Sequence, residues 1–462
     1  LEDAGEQPTK TEVLNTLSEM LTSPRFSTAA TQSNVLRFVV ESALSNTPIT
    51  EVDIALATAA QFDAESHKVR ANVSIIRRKI KAYYANEGAH ELVKIALPPG
   101  PSYKADFAYN FDAHTIRTYQ RGLAHRNKFT RLGFTYAIHL LRGVKAESPR
   151  FVPVHCALVE TVLLASIWDH VFSVSSPVHW STSEEANELL SGLQACPQSW
   201  NTNVLLGAAA LFSFKYSLSR DYFEKAKLLN GTMCYSSLWF ACYLMTEGNV
   251  PEALDIAQSH AHKNPASEHF QLVYIFFLYA AGQFKAAARE FHSYPEPYPK
   301  DPLFYVITML IELEVGDSEE AVGCIDQIPD VNPDLVGCVR RPFEGAHLLA
   351  ISKLNRKDLL ETEWEKLSSE EARCKATWAE RRHIVPLRGE RLYDEYKAAT
   401  KRRPLQWAIA CIATRRFGRA LAFLRRAYKE QDIILVWANL LPIFTPLRGN
   451  PRFQELIKSI SK

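Results

Sequence analysis

Residues 237–265 read SLWFACYLMTEGNVPEALDIAQSHAHKNP, and their spacing decides the fold. Phe240, Ala241 and Leu244 recur at three to four residues, as do Ala253 and Ala257 beyond Gly248. That period places each set on one face of a helix. The stretch therefore predicts two antiparallel helices, with a reversal at Gly248 and a second one prepared by Pro265. The same punctuation returns every 34 residues: Gly248, Gly282 and Gly316; Ala253, Ala287 and Ala321; Pro265, Pro299 and Pro333, with Pro197 and Gly231 extending the spacing toward the amino end. Three series in one register predict stacked helix pairs, each covering the apolar face that its neighbour leaves open.

Working outward, the register is clean over 200–333 and returns at 401–432, where Trp407, Ala408, Cys411, Ala420, Leu424 and Ala427 keep the intervals and Asp432 replaces the terminal proline. Between them, 334–400 reads as irregular helix pairs. Toward the amino end, 119–197 is also helical, with an inserted loop over 171–182. Residues 442–462, with Phe444, Leu447, Phe453, Leu456 and Ile457, read as a cap on the stack. This spacing resembles the tetratricopeptide family, and the resemblance implies an all-α solenoid over 119–462 whose surface receives a protein, a peptide or a small effector.

A different unit precedes the stack. Helices are predicted over 11–22 and from Gln32 to Leu44, and Thr50 with Asp53 has the capping spacing for a short helix to about Ala60. The next helix, 66–86, places Val69, Val73, Ile76, Ile80 and Tyr83 on one buried face. Its other faces carry Lys68, Arg70, Arg77, Arg78, Lys79 and Lys81 with no Asp or Glu, although residues 1–110 hold 11 Lys plus Arg against 13 Asp plus Glu. A helix anchored on one side and positive on the others suits the phosphate-lined major groove. Downstream, Val93-Lys-Ile-Ala-Leu, the proline-rich turn at Pro98, and Tyr103-Lys-Ala-Asp-Phe read as a short hairpin.

This order, and Ile76-Arg-Arg-Lys-Ile80 above all, resembles the OmpR-type winged helix-turn-helix domain of bacterial transcription regulators. The resemblance implies an α+β winged helix-turn-helix domain over 11–110 after a flexible 1–10, and a linker at 111–118 leading to the solenoid. It also implies that 68–81 enters the major groove of double-stranded DNA while 94–104 touches the adjacent backbone. Arg70, Arg78 and Lys81 then reach DNA, with Asn72, Ser74 and Ile75 facing base edges or methyl groups. Arg77 and Lys79 support phosphates, Lys94 and Lys104 flank them from the hairpin, and Lys68 joins the same surface. Two copies on paired half-sites fit this arrangement. Ile75, where the family often has a basic residue, and the proline-rich hairpin turn motivate an alternative: a protein-interaction adaptor whose amino-terminal domain has lost DNA binding.

Composition bounds the remainder. The chain has 462 residues, 47% of them hydrophobic, and a net charge of +2, so its domains can bury real cores and wholesale disorder is excluded. The eight cysteines form no CxxC pair, which points to buried thiols and away from zinc or a disulfide scaffold. The longest apolar run, 272–281, is half a membrane span, and the first ten residues carry no secretory signal; a cytoplasmic protein with no membrane partner is expected. Nucleotide-binding glycine loops, HExxH and GxSxG are absent, so no enzyme activity, cofactor or metal is expected. His260, His262 and His269, near Pro265, read as turn or surface residues. A second basic interval, 111–150 with Arg117, Arg121, Arg126, Lys128 and Arg131, leaves three readings open, augmented DNA binding, docking against acidic helices and a solvated face, of which the last two are preferred.

Overall fold

The computed structural model describes residues 7–57, 66–100, 103–172, 184–196, 198–229, 236–265, 267–293, 302–316, 344–354, 358–365 and 404–460. Pro197, Gly231, Pro299, Ala321, Pro333, residues 173–182 of the expected loop, most of 334–400 and the first three residues of the 401–432 repeat lie outside them.

Helix α1 (Lys10–Thr22) starts where Thr9 and Glu12 cap each other reciprocally, within the stretch read as a flexible terminus. Helix α2 (Ala30–Leu44) buries Val35, Leu36, Val39 and Val40. Helix α3 (Glu51–Ala57) is held by the Thr50–Asp53 box, with the Thr50 amide donating to Asp53 Oδ2 at 2.7 Å. Helix α4 (Ser66–Ala85) turns Val69, Val73, Ile76, Ile80 and Tyr83 into one core with Val13, Leu17, Met20 and Phe26. Strands β1 (Val93–Ala96) and β2 (Asp106–Tyr109) pair antiparallel, Val93 opposite Tyr109 and Ala96 opposite Asp106. β1 sends Val93 and Ile95 into that core.

The α+β winged helix-turn-helix expectation is corrected here. Among the described residues the sheet consists of two four-residue strands bonded only to each other, in a molecule otherwise made of helices, so the fold is mainly all-α. Two short strands cannot form a layer of their own; they persist because their apolar residues lean on a helical core. Among the described residues, 7–9 lead directly into α1, and the second arm of the hairpin begins at Asp106, after the buried Tyr103 and Ala105.

Helix α5 (Ala113–Arg126) takes in most of 111–118, and its Asp112 cap accepts from the His114 and Thr115 amides. There follow α6 (Arg131–Glu147), α7 (Val152–Phe172), α8 (Glu184–Gln194), α9 (Trp200–Leu211), α10 (Tyr216–Leu228), α11 (Ser237–Thr246), α12 (Val250–Lys263), α13 (Glu268–Ala280), α14 (Phe284–His292) and α15 (Pro302–Val315). They alternate in burial. From Ser237 to Met245, every residue of α11 is buried, whereas α14 buries only Ala287, Ala288 and Phe291. A helix apolar all round is interior and a striped one is exterior, so α9, α11 and α13 form an inner layer and α10, α12 and α14 an outer one.

The reversals share one geometry. Gly248 (φ 83°) and Gly282 (φ 74°) are left-handed; the Asn249 amide reaches Leu244 O at 2.9 Å, and the Gln283 amide reaches Leu278 O at 2.9 Å. This is the Schellman closure of a helix end, which favours glycine. The same turn occurs 34 residues before Gly248, at Phe214 (φ 56°), and again at Arg415 (φ 55°), with Lys215 and Arg416 donating to Ala210 O and Cys411 O. Near the carboxyl end, helices Pro404–Ala413 and Phe417–Lys429 are followed by 3-10 turns Ile433–Trp437 and Pro442–Leu447 and the helix Pro451–Ile460. The first turn lies against α7, and Trp437 meets Phe212 and Phe276 edge-on at 5.4 and 5.8 Å. The carboxyl segment thus returns to the inner layer.

Candidate nucleic-acid interface

The outward face of α4 is set by its period. Arg70, Ser74, Arg78 and Lys81 are all exposed, and at 100° per residue they fall within one quadrant of the helix, opposite the flank that bears Asn72 and Lys79. The row spans about 16 Å, enough to enter a major groove roughly 12 Å wide. Arg78 and Lys81, one turn apart, have no hydrogen-bond or ion-pair partner among the described residues. Arg70 donates through Nε to Glu51 Oε1 at 2.6 Å, and Tyr103 Oη donates to the same oxygen at 2.7 Å. With its side chain 70% exposed, Arg70 is held in a screened pair that a phosphate can compete for.

The other cations on α4 face inward. Arg77 donates to Leu97 O at 3.0 Å and Pro98 O at 2.7 Å, fixing the helix to the start of the hairpin turn. Lys79 donates to Arg25 O at 2.8 Å and sits 5.5 Å above the Phe26 ring. Asn72 Oδ1 accepts from Gln32 Nε2 at 3.0 Å, and Ile75 is half-buried. Lys68 belongs to the first turn of α4, where side chains lie outside the described residues. Lys94 is exposed on β1, and Lys104 is exposed just before β2. The predicted set therefore divides into an outward row and an inward clamp. Glu51, Gln32 and Tyr103 escape sequence reasoning because they meet α4 only through tertiary contact.

The amino-terminal unit joins the helix stack through polar groups. Tyr109 Oη donates to Glu12 Oε2 at 3.1 Å and accepts from Gln120 Nε2 of α5 at 2.8 Å. Beside this seam lies a cavity of about 300 Å³ bordered by Glu19, His90, Glu91, Arg126 and Glu160. Burial pushes the Glu19 carboxyl up to about 7. Burial, with the neighbouring Glu19 charge, pushes Glu91 up to about 8 against the opposing Tyr83 hydrogen bond. Arg126 and Glu160 form a buried pair at 2.5 Å, and the Trp239 indole donates to the other Glu160 oxygen at 2.9 Å. Thus one member of the second basic interval docks on a carboxylate, while Arg117, Arg121 and Lys128 are exposed; the Arg131 side chain lies outside the described residues.

A second cavity, of about 220 Å³, opens between the inner helices and the returning carboxyl segment, with Leu164, Cys242, Phe276, Leu310, Ile409 and Trp437 in its wall. Gln406 also lines it, and its Oε1 is buried with no hydrogen-bond partner among the described residues. An acceptor left this way costs about 1–3 kcal/mol.

Of the three histidines near Pro265, His260 Nε2 lies 2.9 Å from Ser237 Oγ, His269 stacks on Phe129 at 3.9 Å, and His262 is exposed. Among the described residues no group of three or more His, Cys, Asp or Glu side chains is placed to hold a metal ion, and no helix is long and apolar enough to cross a membrane. No protein-family model matches the chain, and no match is found among curated proteins.

Proposed function

We propose that this chain is a sequence-specific DNA-binding transcription regulator of the bacterial cytoplasm that performs no bond-making chemistry. Its helix stack serves as the scaffold that senses a partner or effector or brings copies together. The observation that carries the proposal is the single outward row of Arg70, Ser74, Arg78 and Lys81 on a helix pinned from behind. Exposed cations on a rigid helix bind the phosphate backbone, while Ser74 and the arginines can hydrogen-bond base edges. Lys94 and Lys104 extend the positive surface onto the hairpin. The resemblance of Ile76-Arg-Arg-Lys-Ile80 to the basic helix of bacterial regulators supports the same reading.

Selection of genomic duplex fragments by the full chain, followed by footprinting, tests it. The expected result is an enriched sequence protected over a short site, with paired half-sites if two copies bind together. Failure to retain any duplex at low salt by the folded chain overturns it. The Arg70–Glu51 pair favours a second reading, a protein-interaction adaptor without DNA binding, because it withdraws one cation from the row. That reading expects selective peptide capture by a chain that retains no duplex.

A further inference from the structure

We infer that the chamber between the inner helices and the carboxyl segment binds a neutral, mainly apolar small molecule that carries one hydrogen-bond donor. This deepens the effector part of the proposed function by naming the ligand class and the place where it binds. The wall combines Leu164, Phe276, Leu310, Ile409 and Trp437 with Gln406, and among the described residues it contains no Lys, Arg, Asp or Glu. A carboxylate or an ammonium ligand would enter without a counter-charge and lose its hydration, so charged compounds are disfavoured. His269, in the same wall, does not supply that charge: it stacks on Phe129, and burial holds it at about 3, neutral at physiological pH.

Of the side-chain nitrogen and oxygen atoms in the described wall, Gln406 Oε1 is the one that is buried without a hydrogen-bond partner. The Trp239 indole N–H is taken by Glu160, whereas Gln406 Oε1 is buried and accepts from no described group. A hydroxyl or amide N–H on the ligand would satisfy it. A lone water is a poor substitute, since a buried water needs two to four polar partners and most of this surface offers none. The volume of about 220 Å³ exceeds that of the roughly 150 Å³ apolar cavity that admits benzene, so the space suits a fused two-ring or branched aliphatic compound. One wall is the carboxyl segment, with Ile434, Trp437, Leu441 and Phe444. A ligand there would bridge the inner layer to the end of the chain.

Isothermal titration of the full chain with 2-naphthol, naphthalene and 2-naphthoate separates shape, donor and charge. One 2-naphthol per chain is expected, bound about ten-fold more tightly than naphthalene, with 2-naphthoate not bound. In Gln406→Leu the preference for 2-naphthol over naphthalene falls to about one while naphthalene still binds. This variant removes only the unpartnered amide, and its thermal midpoint is expected to be no lower than that of the parent chain. In Ile409→Trp, checked for its helical circular dichroism, both neutral compounds are lost. Absence of 2-naphthol binding to the parent chain, equal affinity for the two neutral compounds, or a preference that survives Gln406→Leu overturns the inference. DNA retention is scored separately on the ligand-free chain, so a chain that binds duplex but not 2-naphthol loses this inference alone. A chain that binds 2-naphthol but not duplex loses only the DNA reading.

Discussion

Replacing Arg78 and Lys81 together by alanine should weaken DNA binding without weakening the protein. Both side chains are exposed and unpartnered among the described residues, so the stability change should stay within about 0.5 kcal/mol. If each neutralises one phosphate, the slope of log affinity against log salt becomes shallower by about 1.8. Between 50 and 200 mM salt the parent chain then loses roughly 12-fold more affinity than the variant. Arg77→Ala should do the reverse. Its guanidinium donates to Leu97 O and Pro98 O, and removing these charge-assisted bonds from a half-buried site costs about 2 kcal/mol. The assay is fluorescence anisotropy of a labelled selected duplex across a salt series, run beside urea unfolding of each variant. A slope unchanged in the Arg78/Lys81 variant but shallower in folded Arg77→Ala would refute the division into outward and inward cations.

Three further outcomes follow from the packing. Glu19 and Glu91 hold their protons in the folded state up to about pH 7 and 8, whereas the unfolded chain releases them near 4.5. Because the folded state binds more protons in that window, their contribution is full below pH 4.5 and is lost as pH rises toward 8, by roughly 3 kcal/mol for Glu19 and roughly 5 kcal/mol for Glu91. The Glu19→Gln/Glu91→Gln variant should flatten this fall in urea titrations at several pH values. His90, lowered by burial, acts in the opposite sense below about pH 6.5, and because it lies 3.7 Å from the Glu91 carboxylate that the variant removes, the comparison is made above that pH. Arg126→Met strands the buried Glu160 and should cost about 3 kcal/mol at pH 8, most of it recovered by adding Glu160→Gln, which still accepts from Trp239; a double-mutant cycle with no coupling would count against the buried pair. Arg415→Gly, at an exposed left-handed position, should raise stability by about 1 kcal/mol, and a loss would show that the Arg415 side chain contributes more than its backbone conformation costs.

Much of the local order was legible because it is periodic. The apolar side of α4 follows from intervals of three and four, and the Thr50 cap from residues three apart, whereas the Thr9 cap falls in the stretch read as a flexible terminus. The repeat was read at Gly248, Gly282 and Gly316 because glycine marks the left-handed turn. Its earlier occurrence at Phe214 was invisible, since phenylalanine gives no such signal; the ring lies 5.5 Å from Tyr428, a contact arising from a distant helix. The hairpin was read as part of an α+β domain because alternation marks strands but does not say how many will pair. The chamber left no trace at all, as Gln406 looks like any helical glutamine until Trp437 and Phe276 close around it.

Sequence by itself determined that this protein is built of paired helices and that one amino-terminal helix is apolar on one side and basic on the others, because both properties repeat over a few residues. Tertiary structure alone decided which cations remain available. Arg77 and Lys79 are taken by carbonyl groups 20 to 54 positions away, Arg70 is shared with Glu51, and Arg78 and Lys81 are left facing solvent. A charge is written at its position in the chain, but the groups that compete for it are brought there only by folding.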